Sequence, residues 1–192
     1  MHALQLDPDN LSTISRVAIL ALYNNDIDTA STYFQMADTM GLENYAHSFM
    51  YSLLLYRERK FAEAKESGKQ GLALSGAADT SWFDLIVDGS RVPELRQQAI
   101  DTLDQISGLG VLPANAEMFF WMLLDEVDRA LVIARRLERE NGLYETELLF
   151  TDEFRAMRQH PEFVEFINAI GLTEYWASAA CAWIDDSVRC QQ

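Results

Sequence analysis

Three histidines, two cysteines and thirty acidic residues are the raw material for chemistry in this 192-residue chain. His2, His47 and His160 stand far apart, and none belongs to an HExxH or Cys/His spacing that would gather a metal's ligands. No metal site is expected, and His160, followed by Pro161, reads as a loop residue of restricted backbone. The pairs Asp125/Glu126 and Asp185/Asp186 could serve as acid and base only in a sheltered cleft that drives their pKa values apart. No partnered nucleophile accompanies them, so they read as surface turns and no catalytic residue is assigned. Gly108-Leu109-Gly110 lacks the third glycine of a dinucleotide loop, and no Gly-Lys-Ser/Thr is present, so no cofactor is expected. Asp7-Pro8-Asp9-Asn10 opens like a calcium loop, but Pro8 is wrong for one and the glycine and closing Glu are missing. Cys181 and Cys190, nine apart, either close a small loop in an oxidising compartment or remain free thiols.

Charge excludes further classes. Fifteen Lys and Arg against thirty Asp and Glu give a net charge of -15, which repels nucleic-acid phosphates and anionic lipid. Direct nucleic-acid contact is therefore not expected. The longest apolar runs, Val17 to Tyr23 and Met118 to Leu124, are seven residues each, short of the ~18 that a membrane span needs. No membrane insertion is expected. The opening residues carry neither the basic head nor the apolar middle of a secretory signal, and no compartment follows from them.

The elements that must position any site come from a repeat. Asp28 to Ala37 aligns with Ala62 to Gly71 at an offset of 34 residues, which sets Ala30 on Ala64 and also Leu20 on Leu54. Ala99 and Ala130 continue the small-residue pattern at intervals of 35 and 31. Within the first period, Ile14, Val17, Ala18 and Ala21 form one helical stripe and Ile27, Ala30, Phe34 and Ala37 another, separated by Asn24-Asn25-Asp26. That pattern predicts a helical hairpin. Gly41, Gly76, Gly108 and Gly142 are expected to stop the second helix of successive hairpins, and the small residues to let paired helices approach.

These residues resemble the tetratricopeptide repeat, a 34-residue helix–turn–helix unit, with units starting near Leu11, Tyr45, Asp79 and Val111. The resemblance covers about residues 1–140. Ala18 and Ser52 replace the family glycine of the first helix, and Gly89-Ser90-Arg91-Val92-Pro93 shortens the first helix of the third unit. It implies an all-α, right-handed superhelix in which residues 1–10 end a truncated preceding repeat, 11–142 form four hairpins and 143–192 form an aromatic-rich helical cap. Ala3 and Pro8 would belong to that earlier repeat, making the chain the C-terminal piece of a longer protein. Carrying over the family's concave face gives a binding groove of Leu22, Tyr23, Phe49, Leu53, Tyr56 and Arg57.

Beyond Gly142 the period is lost and aromatic residues crowd together, with short helices expected near 152–159, 161–170 and 173–183. The stretch Phe154 to Phe163, then Gly171-Leu172-Thr173-Glu174-Tyr175-Trp176, resembles the closing segment of bacterial signalling proteins with C-terminal tetratricopeptide arrays. Those include CadC-like winged-helix regulators and class III adenylate cyclases. The implied role is a protein- or peptide-binding scaffold, the sensory or interaction region of a larger regulator, cytoplasmic or periplasmic. The partner could be another domain of the same protein or a second copy. A cyclase's regulatory tail and a small-molecule pocket around Trp82, Phe119 and Trp121 are the alternatives.

Overall fold

The computed structural model describes residues 7, 9–139 and 146–190. Ala3, Pro8 and Gly142, with the roles expected of them, lie outside the described residues. The chain divides into two compact units, Met1–Val111 and Leu112–Gln192. The described residues are mostly helical, with one two-stranded sheet among them, near the end of the chain.

Among the described residues of the first unit six helices pair as three hairpins: α1 (Leu11–Tyr23) with α2 (Ile27–Thr39), α3 (Tyr45–Arg57) with α4 (Phe61–Leu74), and α5 (Trp82–Gly89) with α6 (Pro93–Gly108). Asn10, Asp26 and Asn44 start the first three, their side-chain oxygens accepting from first-turn N–H groups at 2.9–3.2 Å. These bonds satisfy donors that a helix leaves open. Pro93 opens α6, where a missing N–H costs nothing.

The turns inside the first two hairpins share one geometry. Asn25 and Arg59 are left-handed, with φ of 57° and 63°, and the next residue donates back, Asp26 N–H to the Ala21 carbonyl and Lys60 N–H to the Leu55 carbonyl, both at 2.9 Å. Between hairpins, Gly41 and Gly76 take the left-handed position. After α6 that position falls to Gly110, φ 65°, and not to Gly108 as expected. Gly108 is the last helical residue, and Leu109 still caps the helix before the chain turns.

Helices within a hairpin approach where side-chain volume is missing. Ala30, Ala64 and Ala99 have no exposed surface. A Cβ on Gly71 would stand 3.0 Å from the Phe49 nitrogen, so α4 lies against the backbone of α3. A Cβ on Gly89 would stand 2.4 Å from that of Ala99. Ser52 sits in the α3/α4 crossing and donates to the Ala64 carbonyl at 2.6 Å, so its buried hydroxyl is satisfied. Between the second and third hairpins, the Phe83 ring occupies the space a Gly68 side chain would fill, flanked by Lys65–Asp88 at 2.7 Å and Lys69–Asp84 at 3.4 Å.

The second unit begins with a hairpin of α7 (Ala114–Leu123) and α8 (Val127–Arg139), with Ala130 fully buried and Asp125 left-handed at the turn, φ 58°. Two 3-10 turns (Thr146–Phe150 and Asp152–Phe154) follow, then α9 (Arg155–Arg158), α10 (Phe163–Ala169) and α11 (Leu172–Ser178). The helix expected over 173–183 stops at Ser178. Ala180 turns the chain at φ 55°, and β1 (Cys181–Ile184) pairs antiparallel with β2 (Ser187–Cys190). Asp185-Asp186, both at positive φ, supply the two-residue turn whose twist matches a hairpin. Cys181 pairs with Cys190 in the register and the two form a disulfide. Trp183 docks the strands, stacked on Trp176 at 5.8 Å with Phe163 and Phe150 at 5.6 and 5.7 Å.

Arg158 holds this segment together. Its side chain is 8% exposed and donates to Asp186 at 2.7 Å and to the carbonyls of Leu149 and Thr151 at 2.9 and 2.6 Å. One guanidinium thus joins a 3-10 turn, α9 and the tip of the β-hairpin.

Four variants, in two contrasting pairs, test these contacts. Gly89→Ala should cost ~1–3 kcal/mol through overpacking against Ala99, despite the better helix propensity of Ala. Gly108→Ala, with open space around it, should gain up to ~1 kcal/mol; urea denaturation of both variants checks the contrast. Arg158→Ala should cost ~3 kcal/mol or more, because it strands a carboxylate and two carbonyls. Asp186→Asn, which spares the carbonyl bonds, should cost clearly less in the same assay.

Candidate functional site

Two arrangements in the first unit bring reactive or recognition groups together. In one, Ser15 Oγ on α1 lies 3.1 Å from His47 Nδ1 on α3, the spacing of a nucleophile and its base. Ser15 is 8% exposed and His47 2%, with the imidazole beside the Phe34 ring at 5.2 Å and Tyr51 at 6.2 Å. A hydroxyl so buried is not presented to a substrate. The pair is a packing contact between the first two hairpins. Burial pushes the His47 pKa below its ordinary value, outweighing the opposing pull of Asp38.

The second arrangement is open. The end of α3, the turn after it, the start of α4 and the turn of the third hairpin enclose a cleft of about 440 Å³ lined by Tyr56, Arg57, Arg59, Phe61 and Arg91. Arg91 lies over the Phe61 ring, 3.4 Å from its centroid, a cation–π contact. Tyr56 meets Phe61 edge-on at 5.6 Å and its hydroxyl bonds Ser90 at 2.9 Å, tying the second hairpin to the third. Arg57 donates to the Leu22 carbonyl at 2.9 Å, closing the end of α1. Arg59 is exposed and lies on the left-handed turn position. The neighbouring acids are engaged: Glu58 pairs with Lys60 at 2.9 Å, and Asp88 with Lys65 at 2.7 Å and Arg91 at 3.8 Å. The cleft therefore offers two aromatic rings and three guanidinium groups. It can hold an anionic group against an apolar wall.

Of the six groove residues expected from sequence, Tyr56 and Arg57 line this cleft. Leu22 and Leu53, 0% and 3% exposed, are core residues and line no open surface. The first-helix face that carries them is covered by packing, with Ser15 and Ile19 also buried. Tyr23 and Phe49 are half-buried; the Tyr23 hydroxyl reaches Met50 Sδ at 3.8 Å. Arg59, Phe61 and Arg91 were absent from the sequence-derived groove, because they sit on turns and helix starts of two different hairpins. Three arginines around successive turns of a strongly acidic chain were the available signal.

No family model, curated protein or solved structure matches this chain. Its functional reading rests on the chemistry of its own side chains. The acidic pairs occupy turns: Glu126 pairs with Arg129 at 3.3 Å, Asp185 with Arg189 at 3.4 Å, and Asp186 with Arg158. Trp82 is buried in the first unit, and Phe119 and Trp121 in the second. A cleft beside Glu66, Lys69, Gln70, Ala73 and Thr80 contains one cation, Lys69, already paired with Glu66 at 3.2 Å. Among the described residues, no three His, Cys, Asp or Glu side chains group as a metal site.

Because folding keeps His47 neutral, the unfolded chain binds the proton more readily. Its contribution to stability is complete above the ordinary imidazole value of 6.5 and is lost as the pH falls from there toward the depressed folded value. The urea midpoint of the wild type should fall between about pH 7.5 and about pH 5.5, and His47→Gln should flatten that dependence. An unchanged slope in the variant would show that another group titrates.

Proposed function

We propose that this chain is a tetratricopeptide-like array, a right-handed superhelix of helical hairpins. In this reading it binds a protein or peptide and forms the sensory or interaction region of a larger bacterial signalling or transcription-regulating protein. The observation that carries the binding reading is the cleft at the hairpin turns, where Tyr56, Phe61 and three arginines converge. Aromatic and Arg side chains are the usual anchors of protein interfaces. The near-constant period and the small residues at the helix crossings support the repeat reading. The Cys181–Cys190 bridge favours an oxidising compartment, since such bonds persist there.

Selection of a displayed random-peptide library on the whole chain tests the proposal. Enriched peptides should lose affinity ~10-fold or more on the double variant Tyr56→Ala/Arg57→Ala, as expected for interface anchors. Circular dichroism should show the variant folded. A library that yields nothing above an unrelated helical control removes the binding reading, and undiminished affinity in the variant moves the site elsewhere.

A further inference from the structure

We infer that the cleft between Tyr56 and Arg91 reads carboxylates, and that its ligand is an acidic peptide segment carrying aromatic residues beside its acidic ones. This rests on the peptide-binding reading and names the chemistry its ligand must carry. Three of the chain's twelve arginines meet here, in a protein of net charge -15. Two of them have structural duties: Arg57 closes the end of α1, and Arg91 stacks on Phe61.

Arg59 differs. It is exposed, and among the described residues its guanidinium has no ion-pair partner. It occupies a left-handed position, φ 63°, that glycine takes between the hairpins at Gly41 and Gly76. A non-glycine residue in that conformation costs some backbone strain, as at Asn25, and among the described residues no side-chain hydrogen bond or ion pair of Arg59 offsets it. A guanidinium presents a planar fork of donors that matches a carboxylate in bidentate fashion. Arg91, held over Phe61 with one nitrogen 3.8 Å from Asp88, keeps further N–H donors around the rim of its guanidinium. Tyr56 and Phe61 supply the apolar wall that a bare anion would not use. A long polyanion would meet the net charge of the chain along its whole length, whereas a short segment with one or two carboxylates meets only the cleft.

Fluorescence anisotropy on the whole chain tests this with two labelled peptides, one alternating Glu and Phe and its Gln-for-Glu counterpart, and with inorganic phosphate as competitor. The Glu peptide should bind ~10-fold tighter than the Gln peptide, as for a charge-assisted hydrogen bond. That advantage should shrink with added salt, and phosphate at equal concentration should not displace the peptide. Arg59→Gly should weaken the Glu peptide severalfold while raising Tm, because glycine relaxes the turn. Equal binding of both peptides overturns carboxylate recognition and leaves the peptide-binding reading standing, as does binding of neither when the library yields ligands. Binding of neither with an empty library removes both. Displacement by phosphate reassigns the cleft to free anions, and wild-type affinity in Arg59→Gly overturns the role of Arg59.

Discussion

Helices can lie side by side at close range only where one of them has almost nothing between its backbone and its neighbour. Everything else in the first unit depends on that condition. Ala30, Ala64 and Ala99 meet it at corresponding places in three hairpins, and Gly71 and Gly89 take it further, to direct approach of main chain or Cβ. Close approach sets where each hairpin turns, and the turn sets where its side chains emerge. Phe83 seated over Gly68 then fixes how the third hairpin meets the second. Ser52 shows the tolerance of the scheme: its hydroxymethyl group fits in the crossing because the neighbouring Ala64 carbonyl accepts from the hydroxyl.

The second unit solves a different problem. Its aromatic residues must cover one another after the period of the hairpins has ended, and they lack long helices on which to do it. A clamp centred on Arg158 supplies the order that helix length does not, gathering two carbonyls and a turn carboxylate around one buried cation. Trp183 then closes over Trp176 from a strand.

Much of this was legible in the sequence because it depends on local rules. The break at Asn24-Asn25-Asp26, the stop near Gly41 and the shortening before Pro93 are statements about backbone conformation, and each residue type carries its own. Gly108 misled because two glycines stand within three residues and only one can occupy the left-handed position. The β-hairpin was hidden for a geometric reason. Trp176 and Trp183 are seven apart, two helical turns, so a strand tryptophan continued a helical stripe, and four-residue strands leave little alternation to oppose it. The cleft was half hidden. Tyr56 and Arg57 lie on a helix whose face could be drawn, but Phe61 joins them across the turn of the same hairpin and Arg91 only through the stacking of the next one. Leu22 and Leu53 show the reverse error: the face drawn for them is closed by the same stacking.

The left-handed turn residues have a consequence of their own. Asn25, Arg59 and Asp125 occupy the same backbone conformation, with main-chain hydrogen bonds closing each turn. The three are neutral, cationic and anionic. A hairpin of this design therefore carries an interchangeable display post at its tip, where the exposed group can be exchanged while the scaffold beneath keeps its form.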